Sequence, residues 1–287
     1  MTSKVGTAGL SGGQVRTGGR HKRIQQRASS LGRENGKRVP SRRSCVEQRA
    51  LLFGEGVTGS GLNGHEPLPC APVDGRLRVA VDVDEVLGRF LIALNLFCKE
   101  RYGMEYDVQD YWVYNFAKIW GCSGDMSNHI VHEFFESPHF RNGIPIMPGA
   151  QETLMELSTW CDLMVVTSRQ HVIEDATTEW ICQHFPGVFS SVHFGNHFAY
   201  EGVSRKKSAI CKEIEADVLI DDNPFYAIDC ASNGVDVVLY DWGNAYPWSK
   251  MPDGATDTKI QVVSNWVEVK KALQEIKTCQ GSVAERL

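Results

Sequence analysis

The sequence predicts an α/β fold in three layers: a parallel sheet covered by helices on both faces, with a helical insert behind its first strand. Three observations carry this. From Leu77 onward, short apolar runs alternate with stretches of helical periodicity. The runs are nearly continuous in apolar residues, as strands buried on both faces are. Residues 88–147 interrupt the alternation and contain no convincing strand.

The first strand candidate is Leu77–Val83, followed by a helical stretch over Val86–Arg101. The insert then runs through a segment rich in aromatics, among them Tyr106, Tyr111, Tyr114, Phe116, Trp120 and Phe134. It reads as several short helices joined at Gly103, Gly121–Gly124 and Ser137–Pro138, a plausible lid whose aromatics form mainly its own core. One or two of them are expected to face a ligand. Pro148, at a position that tolerates proline in a first turn, leads into a helix over Gly149–Thr159. Strand Asp162–Ser168, helix Val172–His184 and strand Ser191–Phe194 follow. Next come helix Lys206–Ile214, strand Ala216–Asp221, helix Phe225–Ser232 and strand Val235–Tyr240. A weaker strand, Ile260–Val263, precedes helix Asn265–Ile276, where Asn265 and Glu268 resemble an N-terminal capping pair.

Composition narrows the class. With 42% hydrophobic and 23% charged residues, the 287-residue chain is an ordinary globular protein with room for one large domain and extras. No apolar run reaches membrane-spanning length. The nine cysteines (45, 70, 98, 122, 161, 182, 211, 230 and 279) stand singly, which argues against a disulfide framework or a zinc site. Residues 1–50 hold 12 Lys and Arg against Glu34 and Glu47, a balance of +10, so with a net charge of −5 the remainder carries −15. An acidic body argues against a general nucleic-acid surface and is compatible with metal binding. Segment 1–74 lacks apolar periodicity and reads as disordered. Its Arg- and Ser-rich composition fits an organellar transit peptide, chloroplast or mitochondrial. The alternative is a plain tail, with the protein then cytoplasmic.

Four features fall at strand ends or helix starts: Asp82-Val-Asp84, Val165-Val166-Thr167-Ser168-Arg169, Ser204-Arg205-Lys206-Lys207-Ser208, and Leu219-Ile220-Asp221-Asp222-Asn223-Pro224. On a strand, Asp82 and Asp84 would share a face. Two carboxylates that close need a cation or a proton, so the pair is either a flexible acidic turn or a site for a hard cation and acid–base chemistry. Taken singly, Thr167 or Ser168, and Asp222 or Asn223, could be helix caps, and Lys206 and Lys207 a solvated pair. Together they put acid, hydroxyl, ammonium and acid at one edge of a parallel sheet, where such folds bind ligands. His129 with His132, and His193 with His197, have metal-like spacings but no third ligand, which favours structural roles.

In these motifs the chain resembles the haloacid dehalogenase-like hydrolase superfamily. VDVDEVL, VVTS, a lysine near RKKS and VLIDD stand in that family's order over about residues 77–245. The helical insert and IPIMPGA most resemble its 5′(3′)-deoxyribonucleotidase-type branch. The resemblance implies a Rossmann-like core over residues 75–287 with a helical cap at about 88–147. It implies a Mg²⁺-dependent phosphomonoesterase acting on nucleotide monophosphates or small phosphorylated metabolites. Asp82 would be the nucleophile and Asp84 the acid–base group. Thr167, Ser168 and Lys207 would bind phosphate, with Lys206 and Lys212 as alternative lysines. Mg²⁺ would be held by Asp82, Asp84 through its backbone carbonyl, and one or both of Asp221 and Asp222. Glu85 departs from the family's small residue and would make the phosphate loop more negative. Arg169 is either a cation on the substrate side or a surface residue. A catalytically weak binding or scaffold protein of the same superfamily is the alternative, and it would lack a motif residue; none is missing.

Overall fold

The structure, a computed structural model, describes residues 75–197, 199, 201–252 and 257–284. The reading of 1–74 as a disordered or targeting segment falls outside these residues, as do Cys45 and Cys70.

Among the described residues, six strands form one fully parallel sheet: β1 (Leu77–Val81), β2 (Cys161–Thr167), β3 (Ser191–Phe194), β4 (Val218–Asp221), β5 (Asp236–Tyr240) and β6 (Ile260–Val263). Their order is β3-β2-β1-β4-β5-β6. The chain therefore builds outward from β1 on one side, then returns to build β4, β5 and β6 on the other. The switch point lies between β1 and β4, where Val81 pairs with Ile220. That is where open parallel sheets take their ligands.

The strands are short and buried on both faces, which is why the sequence shows apolar runs instead of alternation. One face buries Val79, Val81, Leu163 and Val165 beneath α5 (Ala150–Leu157), α6 (Glu174–His184) and α9 (Trp266–Ala284). The other buries Ala80, Met164, Val166 and Leu219 beneath α7 (Lys207–Glu213) and α8 (Pro224–Ser232). The result is a three-layer, Rossmann-like α/β fold, as the sequence predicts.

The insert consists of α1 (Phe90–Tyr102), α2 (Phe116–Trp120), α3 (Gly124–Glu136) and α4 (Pro138–Arg141), with a 3₁₀ turn at Val108–Asp110. Its joints are those expected. Gly103 closes α1 in the left-handed conformation, and Ser123 and Ser137 cap α3 and α4 through their side chains. Phe134 packs edge-on against Phe90 and Phe140, so most of the aromatics form the insert's own core. The two ends of the insert meet: Arg89 N donates to Pro145 O (2.8 Å) and Met147 N to Leu87 O (2.8 Å). At this stem a Cβ on Gly88 would lie 2.9 Å from Ile144 Cγ2 and 3.0 Å from Trp180 Cη2, so the stem closes only with glycine there.

Several boundaries differ from the sequence reading. The first strand ends at Val81, not Val83, and the helix begins at Phe90, not Val86. Residues 83–88 form a tight turn in which Val83 O accepts from both Leu87 N and Gly88 N (each 2.9 Å). Glu85 takes φ +60° within it. Val86 and Leu87 look like the start of a helical stripe because they are fully buried, but the turn buries them, not a helix. Pro148 precedes α5, whose N-cap is Gly149, so it lies outside the first turn. The capping pair at α9 is present with shifted partners. Glu268 N donates to Asn265 Oδ1 (3.0 Å), and the Glu268 carboxylate accepts from Ser264 N (2.7 Å). The thiols of Cys98, Cys122, Cys161, Cys211, Cys230 and Cys279 are free, whereas Cys182 is disulfide-bonded, which the single spacing of the cysteines does not lead one to expect. No described helix is long and apolar enough to cross a membrane.

Candidate active site

The four motif segments converge at the carboxyl edge of the sheet. β1 ends one residue before Asp82, whose N–H donates to Ile220 O of β4 (2.9 Å). β4 ends at Asp221. Two adjacent strands thus deliver Asp82, Asp221 and Asp222 into a single cluster, with one carboxylate oxygen of each within 4.8 Å of the others. All three residues are buried.

Of the three candidate lysines, Lys207 is the one that reaches the acids. Lys207 opens α7, is 1% exposed, and places Nζ 2.6 Å from Asp221 Oδ2 and 2.9 Å from Asp82 Oδ1. Lys206 is exposed and pairs at 3.8 Å with Asp229, and Lys212 is exposed. The Lys207–Asp82 contact is an ion pair without hydrogen-bond geometry, so Asp82 Oδ1 is buried with no hydrogen-bond partner.

Electrostatics follow from this crowding. Burial, then the charges of Asp221 and Asp84, push the Asp82 carboxyl from 3.8 up to about 7 against the pull of Lys207. Asp222 rises well above its ordinary value, again by burial and by repulsion from Asp221 and Asp82. For Lys207, burial lowers proton affinity and the two carboxylates overcome it, so the ammonium is held charged. Three carboxylates against one ammonium leave an excess of negative charge in a buried space, together with a carboxylate oxygen that lacks a donor. An oxygen-seeking divalent cation fits both. Asp221 already accepts from Lys207 at Oδ2 and from Asn223 N at Oδ1 (2.9 Å). Asp222 accepts only at Oδ2, from Trp248 Nε1 (2.6 Å), which leaves Oδ1 for such a cation.

Asp84 departs from the expectation. Because the strand stops at Val81, Asp82 and Asp84 do not lie side by side on one strand face. The Asp84 carboxylate is outside the three-acid cluster and is held by Arg169, with Nη2 2.7 Å from Oδ1 and Nε 3.1 Å from Oδ2. Arg169 is itself buried and anchored by Thr177 Oγ1 (3.0 Å), so a surface role is excluded. The Thr167 hydroxyl is fully buried and accepts from Arg169 N (3.2 Å). Ser168 instead lines the cavity above the acids. Its hydroxyl makes no hydrogen bond of ordinary geometry, although it lies near enough to the Tyr226 hydroxyl to favour that group's ionisation.

The cavity measures about 360 Å³. Asp82, Asp84, Arg169 and Asp222 line its polar side, and Phe90, Tyr114, Phe116 and Phe135 from the insert line the other. Of the insert's aromatics, these four are the ones that line the site, a choice that periodicity does not reveal. His197 also reaches the cavity, but its nitrogens face the Tyr226 hydroxyl (2.8 Å) and Arg205 O (2.7 Å). His193 is paired with Ser191 Oγ (2.8 Å), and His129 lies 3.5 Å from Glu133. None of these three histidines joins the acidic cluster. Trp248, in the loop that follows β5 at this edge of the sheet, touches an acid of the cluster directly.

Glu85 does not enter the cavity, although its charge is one of those that raise the Asp222 carboxyl. Its positive φ turns the side chain away from the cavity towards the start of α1, where Oε1 accepts from Leu91 N (2.7 Å). It lies against a separate cleft of about 750 Å³ beside Arg89, Trp242 and Tyr246. Burial raises its carboxyl from 4.5 to about 7. The protonated form is therefore favoured by folding. The associated stability, roughly 3 kcal/mol, is complete below pH 4.5 and is lost as pH rises through 7. Glu85→Gln is thus expected to raise the melting temperature at about pH 8 and to match wild type near pH 4.5. Parallel melting curves at both pH values would contradict this.

Comparison with known proteins agrees with the geometry. A family model described as 5′ nucleotidase, deoxy (pyrimidine), cytosolic type C protein matches residues 76–235. A protein named "Putative 5′(3′)-deoxyribonucleotidase" from Staphylococcus epidermidis is 28% identical over 158 residues, covering 52% of this chain and 75% of that protein. One of the same name from Staphylococcus aureus is 27% identical over the same share of each chain. Among solved structures, a haloacid dehalogenase-like family hydrolase from Streptococcus pneumoniae matches with TM-score 0.50 and 12% identity, over 69% of this chain and 99% of that one. A structure titled "predicted phosphatase" from Clostridium acetobutylicum matches with TM-score 0.51 and 13% identity, over 70% and 99%. At these identities the solved structures speak to the fold alone.

Proposed function

The chain belongs to the 5′ nucleotidase, deoxy (pyrimidine), cytosolic type C family, and from that premise we propose a Mg²⁺-dependent phosphomonoesterase working through an aspartyl phosphate on Asp82. It is a hydrolase of the haloacid dehalogenase-like superfamily with phosphatase or nucleotidase function. The observation that carries the finer reading is the meeting of Asp82, Asp221, Asp222 and Lys207 at the switch point, below a cavity walled by aromatics.

In this reading Asp82 attacks phosphorus, and the alcohol oxygen leaves opposite it. Asp84, held by Arg169, gives that oxygen a proton and later takes one from water, which opens the acyl phosphate. Lys207, fixed between Asp82 and Asp221, offsets charge that builds on the phosphoryl oxygens, and Ser168 donates to them from the cavity wall. Asp82, Asp222 and the Asp84 carbonyl would hold Mg²⁺, which would neutralise phosphoryl and carboxylate charge.

The substrate reading is a nucleoside monophosphate. Phe116 and Phe135 offer faces for a planar base, and Asn115, Asn128 and Gln170 offer amides for its edge. Small phosphorylated metabolites are the second substrate class. The test is phosphate release from a panel of nucleoside monophosphates and phosphorylated metabolites, with and without Mg²⁺. The expected result is Mg²⁺-dependent release, with deoxyribonucleotides preferred. No release from any member of the panel would sink the reading.

A further inference from the structure

We propose that Trp248 is a positioning residue that confines Asp222 to one-oxygen metal ligation and thereby sets the preference of the site for Mg²⁺ over Ca²⁺. The inference rests on the metal-site reading above and adds to it a residue and a selectivity.

Trp248 is 6% exposed, and its indole Nε1 donates to Asp222 Oδ2 at 2.6 Å, a short charge-assisted bond between buried groups. The bond engages one of the two carboxylate oxygens and reduces the charge available there. Asp222 therefore has only Oδ1 free of a hydrogen bond for the space it shares with Asp82. Mg²⁺ is small, demands near-octahedral geometry and is satisfied by single oxygens from each carboxylate. Ca²⁺ is larger, takes more ligands and accepts a carboxylate through both oxygens. Hydrogen-bond partners of ligating carboxylates are known levers on metal affinity. An indole N–H locked on one oxygen claims one of its lone pairs and weakens the two-oxygen mode.

The lock depends on an indole that cannot turn. Tyr246 stacks on Trp248 with ring centroids 4.4 Å apart and planes 17° from parallel. Tyr114 of the insert meets it edge-on at 5.6 Å. Tyr246 is in turn tied by its hydroxyl to Glu85 O (3.1 Å) and by its N–H to Asp241 Oδ1 (2.8 Å). Gln109 of the insert holds the same loop through Ala245 O (2.6 Å). The indole is thus gripped on its face and on its edge in a loop tied down at Ala245 and Tyr246, and its one donor points at the metal-site acid.

The experiment measures Mg²⁺ and Ca²⁺ binding separately by titration calorimetry, without substrate, on the full chain. It compares wild type, Trp248→Phe and the control Asp222→Asn. Trp248→Phe keeps an aromatic ring for Tyr246 and Tyr114 and deletes the donor. Its expected result is Mg²⁺ binding about tenfold weaker with Ca²⁺ binding unchanged or tighter, so that the Mg²⁺ preference falls about tenfold. A second protein carries benzothienylalanine at position 248, which replaces the indole N–H by sulfur with nearly the same shape. It decides the question if Trp248→Phe fails to fold. An unchanged Mg²⁺-to-Ca²⁺ ratio in the donor-less protein overturns the inference while leaving the metal site intact. Absence of Mg²⁺ binding in wild type, with Asp222→Asn indistinguishable from it, overturns the metal-site reading and the inference with it.

Discussion

Asp82→Asn is expected to abolish turnover and, in the same protein, to raise the melting temperature. The first effect is the loss of the attacking carboxylate, for which a fall of about 10⁴-fold or more in kcat is the usual scale. The second follows from charge. The folded state lifts the Asp82 carboxyl from 3.8 to about 7, chiefly by burial. Folding thus favours the protonated acid, and the stability it brings is complete below pH 3.8 and lost as pH rises through 7. Asparagine has the same shape and no charge, so at about pH 8 the variant escapes that loss. Melting curves without Mg²⁺, beside a phosphate-release assay, check both halves. Beryllofluoride with Mg²⁺ should stabilise wild type and not the variant. A variant that loses activity and melts earlier would show misfolding instead of chemistry, and unchanged turnover would remove Asp82 from the nucleophile's role.

Lys207→Met is the second large effect. Methionine fills much of the volume of the lysine stem, but Asp82, Asp221 and Asp222 lose their one fully buried ammonium, which now lies 2.6 Å from Asp221 and 2.9 Å from Asp82. Breaking a buried ion pair from one side costs about 3–5 kcal/mol, because the remaining charge is left without compensation. Urea unfolding at about pH 8 is expected to show a loss of that size. Millimolar Mg²⁺ should restore part of it, since a ligand that binds only the folded state stabilises it. Full stability without metal would mean that the ammonium does not compensate Asp221 and Asp82, and the ion-pair account of the site would fall.

The parts of the site that the sequence reveals are those fixed by strand ends. Asp82, Thr167 and Asp221 each follow an apolar run, and a parallel sheet brings such ends to one edge whatever the loops do. Lys207 is legible for a similar reason, as the first residue of a helix. What stays hidden depends on side chains meeting across the chain. Arg169 finds Asp84 over 85 residues and Trp248 finds Asp222 over 26. Neither pairing leaves a periodicity. The direction of Glu85 is hidden because one residue with positive φ turns its side chain out of the cavity, which no propensity scale marks. The helix placed at Val86 fails for a related reason. Burial alone cannot distinguish a tight turn from a helical stripe over two residues, and the extra turn moves the helix start to Phe90. Thr167 and Ser168 differ in a way the sequence does not show: the Thr167 hydroxyl accepts from Arg169 N, whereas the buried Ser168 hydroxyl has no such partner.

The joined ends of the insert have an evolutionary consequence. Chain enters it at Gly88 and leaves at Ile146, and these two residues form a bridge. A domain whose ends touch can be lengthened, shortened or exchanged without moving the strands that receive it. The spacing of Asp82 and Asp221 is set elsewhere, by the hydrogen-bonded pairing of β1 with β4. The aromatic side of the cavity and the acidic edge of the sheet are therefore encoded largely in separate stretches of sequence. Selection can vary the aromatic wall through residues 90–141 while the acidic edge of the sheet stays as it is.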